Sequence, residues 1–176
     1  CGRSTGSFPN SALPDTRDMA RKNILKRYGF TALAAIIAGR FSRWLNSPCR
    51  LTEPDGSERG NAWLGQYGEN VAADWLRANG CKVLARNFKG PHRGEVDIVA
   101  RDGKLLLFVE VKTRREGAKI RPLDAVNKSK QALIERGANA WLKQLGTRNI
   151  PWRFDVIEVY VEDGKKPRVN RVRDAF

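Results

Sequence analysis

The chain has 176 residues, enough for one domain of ordinary size plus an appendage, and an apolar fraction of 41% that suffices for a real core. Against 19 Asp and Glu stand 33 Lys and Arg, a formal net charge of +14 that either repels itself or meets a polyanion, nucleic acid first and anionic membrane second. The three cysteines lie far apart with no CxxC pair and His92 is the one histidine, which excludes a Cys/His zinc site and speaks against a disulfide framework. That usage suits a reducing, cytoplasmic setting, with Cys81 a small apolar residue opening a strand.

Residues 1–18 are rich in Ser, Gly and Pro with few large apolar side chains and read as a disordered tail. The only methionine is Met19, so a natural start there, with an upstream tail before it, fits the sequence. Residues 19–47 read as a basic amphipathic helical extension: no acidic residue occurs between Ala20 and Thr52, while Leu33, Ile36, Ile37, Phe41, Trp44 and Leu45 fall on one side. The apolar run Ala32 to Ala38 is too short to span a bilayer, and although it imitates a signal peptide, no clean small-x-small cleavage site follows. The extension is therefore expected to dock on the domain or touch a polyanion, and membrane contact is not expected. Residues 48–60, with two prolines and two glycines, read as a linker.

Residues 61–176 form the expected compact domain. A helix over Ala62 to Asn79 stops at Asn79-Gly80. Strands follow over Cys81 to Asn87, Glu95 to Arg101 and Leu105 to Thr113, the last two joined by a tight turn at Asp102-Gly103. A second helix covers Pro122 to Leu145, ending before Gly146, and a strand covers Phe154 to Glu162. This order predicts an α/β fold with a mixed β-sheet flanked by helices.

The hairpin carries the chemistry. With Asp102-Gly103 as the turn, Asp97 lies opposite Phe108 and diagonal to Glu110, and Asp97, Glu110 and Lys112 share one face. Diagonal neighbours sit roughly 7–8 Å apart, a gap that two carboxylates can close on one hard cation. The cation would polarise a phosphate and acidify a water, with the Lys112 ammonium orienting that water. The plain alternative is a solvated strand end with Asp97 as a cross-strand partner of Lys112.

Three surroundings favour the metal reading. Glu69 lies on a stripe with Ala72, Ala73 and Leu76 and points inward, within reach of the metal through water. Arg114, Arg115, Lys119, Arg121, Lys128 and Lys130 follow the strand as an electropositive mouth for nucleic acid. Lys130 falls on the apolar stripe of Val126, Leu133 and Ile134, where an ammonium must snorkel or meet charge. Glu95, opposite Glu110 in this register, is a further candidate ligand, whereas His92 reads as a loop bystander.

Leu64-Gly-x-x-Gly-Glu69, Ala85-Arg-Asn87, Gly94-Glu-Val-Asp97, Phe108-Val-Glu-Val-Lys-Thr-Arg114, Ala125-Val126 with Lys130, Arg153-Phe-Asp-Val156 and Ala175-Phe176 together resemble the YraN family. That family is similar to the PD-(D/E)xK nuclease superfamily and to archaeal Holliday-junction resolvases. The resemblance, from about Leu64 to Phe176, implies a restriction-endonuclease-like core and a catalytic set of Glu69, Asp97, Glu110 and Lys112. It also implies magnesium or manganese as the metal, DNA as the partner and a homodimer, with no small-molecule cofactor; Glu95 and Lys130 match family positions too. The expected function is a metal-dependent endonuclease acting on branched or structured DNA in repair or recombination. The alternative is a non-catalytic nucleic-acid-binding or repair-complex adaptor that keeps the nuclease fold.

Overall fold

The computed structural model describes residues 43–117, 128–147 and 149–176, which hold three helices and five strands in the order α1 (Arg43–Asn46), α2 (Asn61–Ala78), β1 (Lys82–Lys89), β2 (Glu95–Asp102), β3 (Leu105–Arg115), α3 (Lys128–Gln144), β4 (Trp152–Val161) and β5 (Arg168–Val172). The expected tail and nearly all of the helical extension lie outside the described residues. Its last turn is α1, where Trp44 meets Tyr67 edge-on at 5.5 Å and Leu45 packs on the core, so this part does dock on the domain.

The strands form one sheet in sequence order, with β3 and β4 parallel and every other neighbouring pair antiparallel. This is the expected mixed sheet. Strand β5 has no signature in the sequence, because Arg168-Val-Asn-Arg-Val172 offers only two apolar residues, and its exposure alternates as an edge strand's should.

Two apolar layers cover the sheet. On one side Val71, Ala72, Ala73 and Leu76 of α2 pack on Ile98, Leu107, Val109, Ile157 and Val159. On the other, Ile134, Ala138 and Leu142 of α3 pack on Val99, Leu106, Phe108 and Phe154. Each fully buried Leu, Ile or Phe here contributes roughly 1.5–3 kcal/mol. Strand β3 is buried from Leu106 to Glu110, which explains its unbroken apolar run.

Helix α2 ends as its sequence suggests. Gly80, at φ 82, donates its amide to the Arg77 carbonyl, and Cys81 donates to Leu76. Buried Cys81 thus closes the helix cap as well as preceding β1.

Residues 48–60 are not a linker. Cys49 and Leu51 are buried in the α2 layer, and the Cys49 amide and carbonyl pair with the Lys165 carbonyl and Gly164 amide, both at 2.7 Å. Leu51 donates to Asp163 Oδ1 at 2.6 Å. Two apolar residues among prolines and glycines give no periodic signal, so only these long-range contacts reveal the docking. The C-terminal end is also clamped: buried Asp155 accepts from Arg153, Arg171 and the Asp174 amide, and Phe176 stacks on Phe154 at 4.7 Å.

Candidate active site

The turn between β2 and β3 is Gly103-Lys104 rather than Asp102-Gly103, because Asp102 pairs with Leu105 in the ladder. Gly103, at φ 57, supplies the positive φ that a two-residue hairpin loop needs at its first position. Ile98 accordingly faces Val109 and Val99 faces Phe108. A slip of two residues leaves every side chain on its expected face. Run on past the end of the ladder, this register would set Glu110 level with Asp97 instead of diagonal to it, and Glu95 no longer directly opposite Glu110, although Lys130 still touches both glutamates.

The ladder between β2 and β3 stops at Ile98. There β2 swivels: Ile98 belongs to the α2 layer, while Val96, two residues earlier, belongs to the α3 layer. Asp97 is the pivot. Its Oδ2 accepts the Val111 amide at 2.8 Å, taking a donor on β3 beyond the end of the ladder. Sequence spacing gives no hint of this contact, which anchors the carboxylate to the strand carrying Glu110.

Around this pivot the structure gathers Glu95, Asp97, Glu110, Lys112 and Lys130. Lys112 Nζ lies 2.9 Å from Glu110 Oε1, so it pairs with Glu110 and not with Asp97. Lys130 reaches in from α3, with Nζ 2.6 Å from Glu95 Oε1 and 3.4 Å from Glu110 Oε2. Glu110 is only 3% exposed and its Oε2 accepts no hydrogen bond. Burial, and then the adjoining Glu110 charge, push the Asp97 carboxyl up to about 7, against the opposing pull of the Val111 amide and Lys130. For Lys130, burial alone would lower the ammonium, but the hydrogen bond to Glu95 and the charges of Glu110 and Asp97 outweigh it and raise it.

Other expected residues stand elsewhere. Glu69 sits on α2 and pairs with Arg86 at 3.7 Å, its Oε2 buried without a hydrogen bond. Among the described residues no three His, Cys, Asp or Glu side chains gather closely enough to hold an ion by themselves, so Glu69 does not complete a direct triad with Asp97 and Glu110. Arg86 lies in the Ala85-Arg-Asn87 motif, and that motif is the only sequence signal that could single it out.

The basic mouth is divided. Arg115 donates to the Arg59 carbonyl at 3.1 Å and pairs with Glu58, so it fastens residues 48–60 rather than facing the site. Arg114, its neighbour on the strand, points the other way, towards Tyr160. Lys128 is exposed at the start of α3, and Lys119 and Arg121 lie outside the described residues. No helix among the described residues is long and apolar enough to cross a membrane.

Comparison with known proteins adds one decisive finding. The profile described as "Uncharacterised protein family UPF0102" matches residues 68–159. The chain belongs to the UPF0102 family. This is the YraN-like group that the sequence motifs indicate. A UPF0102 protein of Trichlorobacter lovleyi is 44% identical over 119 residues, 67% of this chain and 93% of its own length. One from Rhodococcus jostii is 41% identical over 116 residues, 66% of this chain and 98% of its own. One from Chlorobaculum tepidum is 47% identical over 97 residues, 55% of this chain and 74% of its own. The UPF0102 match takes in Glu69, Asp97, Glu110, Lys112 and Lys130, and begins after residues 48–60.

Proposed function

We propose that this UPF0102 protein is a metal-dependent endonuclease that hydrolyses phosphodiester bonds in branched or structured DNA, in repair or recombination. The observation that carries the reading is the pair of adjoining carboxylates, with Asp97 pushed up to about 7 beside a buried Glu110 whose Oε2 accepts no hydrogen bond. Two such acids favour a shared proton or a cation between them. Magnesium or manganese fits this donor set, since magnesium commonly takes one or two carboxylates and completes its shell with water and substrate phosphate. Bound there, the ion would supply Lewis-acid polarisation of the phosphate and a water of lowered pKa.

The chain's own residues have separable tasks in this reading. Asp97, oriented by the Val111 amide, and Glu110 hold the cation. Lys112, whose ammonium already touches Glu110, turns to the phosphate, orients the attacking water and offsets the charge that develops. Lys130 and Glu95 position Glu110, and Glu69 acts through water. Lys128 and Arg114, with Lys119 and Arg121, attract the polyanion. Cutting both arms of a branch calls for two sites, so a homodimer accompanies the proposal.

Duplex, single-stranded, flap and four-way substrates incubated with Mg²⁺ or Mn²⁺ provide the test. Wild type should cleave at least one of them, and Asp97→Ala and Lys112→Ala should abolish that cleavage. Cleavage that survives both substitutions sinks the site assignment. Binding without cleavage on every substrate favours the adaptor reading, which has its own support in a Glu110 already flanked by two lysines.

A further inference from the structure

Beside the carboxylate site, a cleft of about 550 Å³ opens between the Lys89–Gly94 loop and the C-terminal half of α3. Its lining includes His92, Arg136, Asn139, Lys143 and Thr147, with no acidic side chain. Arg136, Asn139 and Lys143 stand at i, i+3 and i+7 and therefore form one stripe along the helix. The cleft is built rather than incidental, because three glycines lock its walls together. A Cβ at Gly94 would fall 2.6 Å from the Gly137 nitrogen, one at Gly90 2.8 Å from the Ala140 Cβ, and one at Gly137 3.0 Å from the Glu95 backbone. The loop also holds His92 and Arg93 at φ 55 and 59, a left-handed conformation that costs a non-glycine residue roughly 1–2 kcal/mol each. Such strain persists only where surrounding contacts impose it, and here the strained loop brings exposed His92 to the cleft's lining.

We infer that this cleft is a second phosphate-binding groove, which grips the nucleic-acid backbone at a distance from the bond to be cut. The inference rests on the endonuclease reading and adds where the substrate's flank lies. Lys130, at the carboxylates, and Lys143, at the far end of the cleft, are thirteen residues apart on one helix, about 20 Å at 1.5 Å per residue. The two side chains stand about 140° apart around that helix, so a strand that reaches both bends round its side, and at 3.4 Å per nucleotide its path is at least roughly six nucleotides. Gly137 couples the two places directly, since it packs on the backbone of Glu95, whose side chain holds Lys130. A strand gripped by Arg136 and Lys143 is thereby aligned with Asp97 and Glu110 through a rigid glycine contact.

Fluorescence anisotropy with a fluorescein-labelled flap duplex, in EDTA so that nothing is cut, tests this across a salt series. The double variant Arg136→Gln/Lys143→Gln should bind more weakly than wild type, and its log–log salt slope should be shallower by roughly two, about 0.9 for each phosphate no longer neutralised. A control double variant at the distant turn, Lys165→Gln/Lys166→Gln, removes the same charge and should leave the slope near the wild-type value. Equal losses in both variants, or no loss in the first, overturn the groove. If the first variant binds normally while Asp97→Ala still abolishes cleavage, the groove fails and the endonuclease reading stands. Wild type that binds no DNA defeats both. A thermal midpoint unchanged by the Arg136 and Lys143 substitutions is expected, and a collapse of the fold is met by repeating the test with Lys143→Gln alone, for which a slope change near one is the supporting result.

Discussion

The Val111 amide donates to Asp97 Oδ2 at 2.8 Å across the gap where β2 leaves β3. This one bond fixes the carboxylate beside Glu110, and the raised Asp97 pKa follows from burial together with that enforced proximity.

Stability should depend on pH through this carboxyl. Asp97 titrates at about 7 in the fold against 3.8 for the free side chain, so between these values the folded state carries a proton that the unfolded chain lacks. Stability therefore falls as pH rises from about 4 to about 7. In EDTA, chemical denaturation at pH 5 and pH 7.5 should show this group favouring the lower pH, and Asp97→Asn should flatten the difference. A wild-type profile identical to that of Asp97→Asn refutes the assignment.

Cation binding should reverse that trend. A cation displaces the shared proton, so apparent affinity for Mn²⁺ rises with pH up to about 7 and levels off above it. At a hundredfold excess over the dissociation constant the gain is roughly 2.7 kcal/mol, readable as a raised thermal midpoint. Asp97→Asn should lose most of this gain.

Lys130 is expected to matter for the fold before it matters for chemistry. Replacing it with Met leaves Glu95 without its ammonium and buried Glu110 paired with Lys112 alone, a loss of about 1.5–3 kcal/mol for a hydrogen bond to a charged group. Urea denaturation without metal reads the loss, and Mn²⁺ should restore part of it. Full stability without metal would show that Lys130 does not neutralise the pair.

Two glycines should respond to alanine in opposite directions. Gly137→Ala forces a Cβ to within 2.8 Å of Val96 and 3.0 Å of the Glu95 backbone, and should destabilise by roughly 1–3 kcal/mol. Gly65→Ala lies inside α2 with nothing within 4 Å of the added atom, and should stabilise by roughly 0.5–1 kcal/mol. Thermal midpoints that move in the same direction for both would contradict the packing described at Gly137.

The buried charge on β4 provides the last test. Asp155 is fully enclosed and accepts from Arg153, Arg171 and the Asp174 amide. Asp155→Ala strands the Arg171 guanidinium, itself 6% exposed, and should cost roughly 3–5 kcal/mol in an equilibrium unfolding experiment.

Whatever depends on local period and local turn chemistry is legible in the sequence of this chain. The 3.6-residue pattern and Gly80 mark α2, the apolar run marks β3, and alternation places Asp97, Glu110 and Lys112 on one face even though the hairpin turn lies one residue beyond Asp102-Gly103. An even slip in register preserves faces, which is why the shared face is independent of where the turn falls. Relationships between distant parts of the chain were settled by tertiary packing alone. Packing sets Asp97 beside Glu110, swivels β2 between Val96 and Ile98, pairs Lys130 with Glu95, gives Glu69 to Arg86, and folds Cys49 and Leu51 into the core. Each of these follows from contacts between groups far apart in the chain or from the close approach that Gly94 and Gly137 permit, and neither leaves a periodic trace in the sequence.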